Sequence, residues 1–204
     1  MTKTHAKEIA AKLLEIKAVF LKPHDMFTWA SGIKSPIYCD NRITLSYPEL
    51  RTYIKNAFVE LIKKEFADVE VIAGVATAGI PQAALIADAM NLPLIYVRSS
   101  AKDHGRTNLI EGKIEEGQKV VLIEDLISTG SSSLKVIDAL KEAQVELLGL
   151  VSIFNYGLKS AKNNLQDIKT FSLSSYDELL DAALEKAYIQ AEDIKLLQNW
   201  KENL

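Results

Sequence analysis

Cysteine is nearly absent from this chain of 204 residues: Cys39 is the single one. An internal disulfide is therefore excluded, and so is a metal cluster built on thiolates. Such cysteine usage suits a reducing cytoplasm, which is the expected location. Long hydrophobic runs are missing too, since no stretch approaches the ~20 apolar residues that a membrane span needs. The opening Met1-Thr2-Lys3-Thr4-His5 leads into a charged amphipathic segment, so no signal peptide and no membrane partner are expected. Charge of one sign is scarce. The 24 Lys and Arg against 27 Asp and Glu leave a formal charge of −3, which gives no overall footprint for nucleic acid. Repeats, low-complexity tracts and Pro/Gly/Ser-rich linkers are also lacking. What remains is one globular domain over residues 1–204, long enough for a sizeable core.

The chain is organised around Val120-Val121-Leu122-Ile123-Glu124-Asp125-Leu126-Ile127-Ser128-Thr129-Gly130-Ser131-Ser132. The apolar β-branched run at its start reads as a strand buried on both faces of a parallel sheet. A strand ending at an open α/β crevice delivers its next residues to the ligand site. Here those residues are two acids, Glu124 and Asp125, which can hydrogen-bond a sugar diol and lie near a carbon that becomes cationic. The turn at 128–132 supplies backbone N–H groups, hydroxyls and a helix N-terminus, an anion site suited to phosphate. No Gly-Lys-Ser/Thr follows, which excludes a Walker loop, and the Gly-x-Gly-x-x-Gly dinucleotide turn is absent as well.

Around that stretch, periodicity predicts a helix from about 5 to 21, with Ile9, Leu13, Ile16 and Phe20 on one face. Two strand-like pieces flank Ser31-Gly32 and predict a hairpin with Pro36 at an edge. On its functional reading, Lys34, Tyr38 and Arg42 face a small planar anion. A helix should open at Pro48. A buried strand over 69–75 then runs into Ala76-Thr77-Ala78-Gly79-Ile80-Pro81, a small-residue turn that could approach a second anion. After a strand at 94–98 comes the most polar stretch, in which Arg98, Lys102, His104 and Arg106 make a cationic loop that reads as a lid. Strands at 145–154 and 168–173, a capping box at Ser175-Tyr176-Asp177-Glu178 and a last helix near 191–200 complete the chain. Alternating strands and helices imply an α/β fold, a mostly parallel sheet flanked by helices.

The central stretch resembles the ribose-5-phosphate motif of the type I phosphoribosyltransferases. Three more segments narrow the resemblance to the orotate phosphoribosyltransferase family: Ser31-Gly32-Ile33-Lys34-Ser35-Pro36-Ile37-Tyr38, the turn at 73–81, and Ala101-Lys102-Asp103-His104-Gly105. The resemblance implies the type I fold, with a small hood from residues 1–45, a core over 46–174 carrying a lid loop at 99–116, and C-terminal helices from 175. It implies that orotate displaces pyrophosphate from 5-phosphoribosyl 1-diphosphate with Mg²⁺, a step of pyrimidine synthesis. Glu124 and Asp125 would hold the ribose hydroxyls. Ser128, Thr129, Gly130, Ser131 and Ser132 would cradle the 5′-phosphate, with Leu126 and Ile127 also among the substrate-binding residues. Thr77, Ala78 and Gly79 would approach the pyrophosphate, as would Arg98, Lys102 and His104. Lys102 is the expected stabiliser of the departing charge, and in the family the lid acts in the neighbouring subunit, which implies a homodimer. Ser128, Lys34 and Tyr38 would contact orotate. One branch of the family has basic residues where Ala30, Ala78 and Ser99 stand here, and an arginine missing from Asn155-Tyr156-Gly157. Lys34 or Arg42 is left to supply that charge. A phosphoribosyltransferase for another base, an RNA-binding regulator on the same fold and a plain sugar-phosphate binding module are the competing readings.

Overall fold

A computed structural model describes residues 3–29, 32–98 and 109–204. In chain order the elements are α1 (Lys3–Glu15), β1 (Val19–Leu21), β2 (Phe27–Thr28), β3 (Lys34–Ser35), β4 (Ile37–Cys39), a 3-10 turn (Asn41–Ser46) and α2 (Pro48–Glu65). Next come β5 (Val71–Val75), α3 (Gly79–Met90), β6 (Leu94–Val97), β7 (Ile110–Glu111), β8 (Lys119–Ile127) and α4 (Ser131–Glu142). The rest is β9 (Glu146–Asn155), α5 (Lys159–Asn164), β10 (Thr170–Ser175), α6 (Tyr176–Glu185) and α7 (Asp193–Glu202).

Among the described residues the main sheet runs β10-β9-β8-β5-β6-β7, parallel except for β7. The sheet is buried on both faces, and the run in β8 shows why it carries so little polarity. Val121 and Ile123 point into one core with Ile72, Ile54, Phe58, Ile86 and Leu179. Val120 and Leu122 point into the other, with Val136, Ile137, Leu140 and Ala161. Burying one such aliphatic side chain is worth about 1.5–3 kcal/mol. Helices α1, α2, α3 and α6 thus cover one face, α4 and α5 the other, as expected for a doubly covered parallel sheet. No described helix is long and apolar enough to cross a membrane.

The order of strands places the site. From β5 the chain moves to β6 on one side, then returns to β8 and continues outward through β9 and β10. Strands β5 and β8 are therefore neighbours from which the sheet grows in opposite directions, and a crevice opens above their carboxyl ends.

Three local expectations need correction. The first helix stops at Glu15. Lys17 takes a left-handed φ of 58°, Ala18 N donates to the Leu13 carbonyl, and Val19 begins a strand instead of another helical turn. The β8 strand does not end before the acids but continues through Ile127, because β9 stays paired with it up to Asn155. Within the lid region, the described part contains β7, which pairs antiparallel with β6. The hairpin is present as β2 and β3, with Phe27 opposite Ser35 and Thr28 opposite Lys34. Strand β4 then turns back to pair with β1. The capping box is present too: Ser175 caps α6, its Oγ accepting from Asp177 N at 3.3 Å, while the Glu178 carboxylate meets that hydroxyl.

Candidate active site

At the carboxyl end of β8 the strand has lost β5 but kept β9. Its last paired residue toward β5 is Ile123, opposite Gly74. Glu124 is buried at 4% exposure, and Asp125 is half-buried beside it. Asp125 N donates to Glu124 Oε1 at 3.0 Å, and Ser133 Oγ lies 3.4 Å from Glu124 Oε2. Burial, then the neighbouring Asp125 charge, pushes the Glu124 carboxyl up to about 9. Burial also raises Asp125, against hydrogen bonds that favour its ionised form. Two carboxyls so close in a dry place cannot both ionise freely. Of the pair, Glu124 is the more deeply buried, and its ionised form is the one burial disfavours.

The turn over 128–132 follows directly. Gly130 sits at the N-cap of α4 with φ 78°, a conformation natural to glycine, and has no side chain to cap the helix, although Thr129 Oγ1 accepts from Ser131 N at a long 3.5 Å. The first N–H groups of α4 have no intrahelical acceptor and face the turn. Thr129 Oγ1 and Ser131 Oγ lie 3.0 Å apart; Ser128 and Thr129 are half-buried, Ser131 and Ser132 exposed. A helix N-terminus with adjoining hydroxyls and only one long side-chain contact can take an anion. By contrast α6, which lies away from the crevice, has its serine cap.

On the other side of the acids is the turn after β5. The Ala76–Thr77 peptide is cis, and α3 begins at Gly79 without a side-chain cap. A Cβ on Gly79 would stand 2.5 Å from the Ile123 carbonyl oxygen, so only glycine lets this turn lie against β8. One strand further, Arg98 follows β6 level with Ala76, whose N donates to the Val97 carbonyl. Arg98 Nη1 lies 3.8 Å from Glu111 Oε1 and has no hydrogen-bond partner among the described residues. Read along the sheet edge, the turn over 128–132, the acid pair, the small-residue turn and Arg98 form one row.

A cleft of 240 Å³ adjoins the row, lined by Thr28, Trp29, Tyr38, Cys39, Leu126, Ser128 and Tyr156. Its wall is aromatic. Trp29 stacks on Tyr156 with ring centres 5.2 Å apart, and Trp200 meets Trp29 edge-on at 5.8 Å. The wall is also tied down. Trp29 Nε1 donates to the Ile37 carbonyl, Trp200 Nε1 to the Lys34 carbonyl, and His24 Nε2 lies 2.8 Å from Asp193 Oδ1. A larger hollow of 540 Å³ between α1 and α2 lies elsewhere and contains none of the row.

Of the expected base contacts, Tyr38 and Ser128 line this cleft, and Lys34 reaches its rim by donating to Thr28 Oγ1 at 2.7 Å. Arg42 does not face it as an available cation, because the Asp40 carboxylate grips its guanidinium from Nε at 2.6 Å and Nη2 at 2.9 Å. Lys102, His104, Arg106, Ser99 and Ala30 lie outside the described residues. Sequence reasoning gave no role to Trp29, Cys39 and Tyr156 in the cleft wall, nor to Trp200 behind it. The aromatic density around the hairpin was the available signal for Trp29; nothing local pointed to Trp200.

A parallel sheet with its crevice at β5/β8, an acid pair and a small-residue turn at a helix N-terminus belong to the type I phosphoribosyltransferase fold. Residues 46–180 match the phosphoribosyl transferase domain family. An orotate phosphoribosyltransferase of Listeria innocua is 56% identical over 97% of this chain and 95% of its own length. The structure of Leishmania donovani UMP synthase aligns with a TM-score of 0.82 and 26% identity, covering 99% of this chain and 43% of that one. An orotate phosphoribosyltransferase from Aeropyrum pernix aligns with a TM-score of 0.76 over 89% of this chain and 99% of its own, and at 24% identity that likeness speaks to the fold. The chain belongs to the orotate phosphoribosyltransferase family.

Proposed function

We propose that this protein transfers ribose 5-phosphate from 5-phosphoribosyl 1-diphosphate to orotate, releasing pyrophosphate and giving orotidine 5′-monophosphate for pyrimidine nucleotide synthesis. The observation that carries the reading is the junction at the end of β8. One strand there serves a phosphate nest, a carboxyl pair and an aromatic cleft of a size for a single pyrimidine.

The chemistry follows the row. The 5′-phosphate takes the N–H groups and hydroxyls of residues 128–132. Asp125 supplies negative charge where the ribose becomes cationic as pyrophosphate leaves. Glu124, whose ionised form burial disfavours, can hydrogen-bond a ribose hydroxyl. Thr77, Ala78 and Gly79 bring backbone close to the pyrophosphate, and Arg98 offers its guanidinium beside them. Orotate occupies the cleft against the Trp29–Tyr156 wall, with Tyr38 and Ser128 at its edges. Its carboxylate pairs with Lys34, whose ammonium is at the rim, and not with Arg42, which Asp40 already holds.

Mg²⁺ is part of the proposal. Among the described residues no group of three or more His, Cys, Asp or Glu could hold a metal ion. Asp125, the more exposed carboxyl of the pair, still fits Mg²⁺, which binds through one or two carboxylates plus substrate phosphate oxygens and its own waters. Bound there, it would neutralise the leaving pyrophosphate. We further propose that the protein works as a homodimer in which Lys102 and His104 of each copy act in the other's crevice. Lys102→Ala should then cost about 3 kcal/mol of barrier, a hundredfold or more in turnover.

The test is direct. Purified protein is mixed with the diphosphate substrate and orotate, with and without Mg²⁺, and orotate loss is followed by ultraviolet absorbance. Metal-dependent consumption is expected. Turnover with adenine or hypoxanthine in place of orotate would move the assignment to a purine enzyme, and salt-dependent RNA binding without turnover would make it a regulator.

A further inference from the structure

Asn41 has been given no role above, yet it is 1% exposed and stands between the groups that have one. Its Nδ2 donates to the backbone carbonyl of Asp125 at 2.8 Å, across 84 positions of sequence. Its Oδ1 accepts from the Cys39 thiol at 3.3 Å, and Cys39 lines the base cleft. The backbone carbonyl of Asn41 accepts from Thr44 Oγ1 at 2.6 Å, and Gln82 Nε2 reaches that hydroxyl at 3.5 Å from α3, the helix that begins at the small-residue turn. Base cleft and acid pair therefore meet at one buried side-chain amide, while α3 is linked to the same residue only through Thr44 and the Asn41 backbone carbonyl.

The side chain is not needed to build its own turn. Asp40 is the N-cap there, accepting from Arg42 N, and it fixes Arg42 as well. The need lies at β8. Beyond Ile123 no β5 residue pairs with β8, and the Asn41 amide supplies the Asp125 carbonyl with a donor. A buried carbonyl without a donor is costly, and a strand end without one can swing. Burial, and then the Asp125 charge, raises the Cys39 thiol well above its ordinary range, so it stays protonated and able to donate.

We propose that Asn41 is a positioning residue that sets the Asp125 peptide, and with it the acid pair, against the base cleft. The proposal rests on the transfer reaction given above. A residue that only orients the acids contributes where charge develops in the transition state and little to ground-state binding.

The experiment compares wild-type enzyme, Asn41→Ala and Asn41→Asp in steady state, with thermal unfolding of each. Asn41→Asp keeps the side-chain shape and the acceptor for the thiol but removes the Nδ2 donor. Both variants should lose about tenfold in kcat, the worth of one buried hydrogen bond, with KM for both substrates little changed. The proposal is overturned if Asn41→Asp keeps wild-type kcat, if the loss appears in KM alone, or if it merely follows a lowered unfolding temperature. Cys39→Ala adds an independent reading: its effect on kcat should vanish in the Asn41→Ala background, and simple additivity would remove the thiol from the relay. Failure of the functional assignment is distinguishable, because wild type would then not consume orotate at all. If it used another base, the same split would be measured with that base.

Discussion

Asn164 holds the phosphate nest from behind: its Nδ2 donates to the Thr129 carbonyl at 2.9 Å. Beside it, Leu165 lies where a Cβ on Gly130 would stand 3.2 Å from its side chain, so α5 and the nest fit closely. Removing that donor should loosen the loop without touching the base cleft. Asn164→Ala is expected to raise KM for the diphosphate substrate about fivefold to tenfold, near 1 kcal/mol, while KM for orotate stays put. Steady-state kinetics with each substrate varied in turn checks it. An equal rise in both KM values would instead mean a general loss of structure.

The Trp200–Lys34 link predicts an opposite split. Trp200→Phe keeps an aromatic ring but removes the Nε1–H donor to the Lys34 carbonyl along with part of the indole's packing, and should raise KM for orotate severalfold, about 1 kcal/mol. Trp200→Ala also deletes ring contacts to Trp29, Tyr156 and Tyr176 and should lower stability by about 3 kcal/mol, the low end for an aromatic deletion because Trp200 is only partly buried. Chemical denaturation separates the two variants.

The proton on Glu124 makes stability depend on pH in a definite direction. The folded state raises this carboxyl from 4.5 to about 9. Between those values the folded chain binds a proton that the unfolded chain has released, so stability falls as pH rises through that window. Glu124→Gln keeps a neutral side chain of the same shape and removes this contribution. Its unfolding temperature should decline less than that of wild type from pH 6 to about 9. Parallel declines would show that Glu124 ionises normally in the fold.

Gly79→Ala tests the closeness of the turn to β8. Its new Cβ would meet the Ile123 carbonyl oxygen at 2.5 Å, a backbone atom that cannot step aside alone. Overpacking of this kind costs about 1–3 kcal/mol. The displaced strand carries the acid pair, so turnover should drop further than the loss of stability explains. Denaturation midpoints and kcat measured on the same preparation decide it.

What could be read from the linear chain was what depends on neighbours. The β8 run, the hairpin, Pro48 at the start of α2 and the Ser175 cap are local signals, and each stands where it was expected. The overrun of the first helix has a local cause as well: Val19 and Phe20 continue an apolar pattern that a left-handed lysine interrupts, and lysine carries no sign of that conformation. The strand's extension through Glu124 and Asp125 depends on pairing with β9, which acidic residues do not advertise. Asn41, Asn164 and Trp200 escaped for the same reason. Their partners lie 84, 35 and 166 positions away, and a lone amide or indole has no periodicity to betray it.

The bond from Trp200 to Lys34 also orders events at the ribosome. The turn over 128–132, the acids and the turn after β5 are all translated by residue 132 and the cleft wall by Tyr156, but the brace behind that wall arrives only with α7. A nascent chain stopped short of that helix would carry every lining residue of the cleft and lack the indole that pins the hairpin to it.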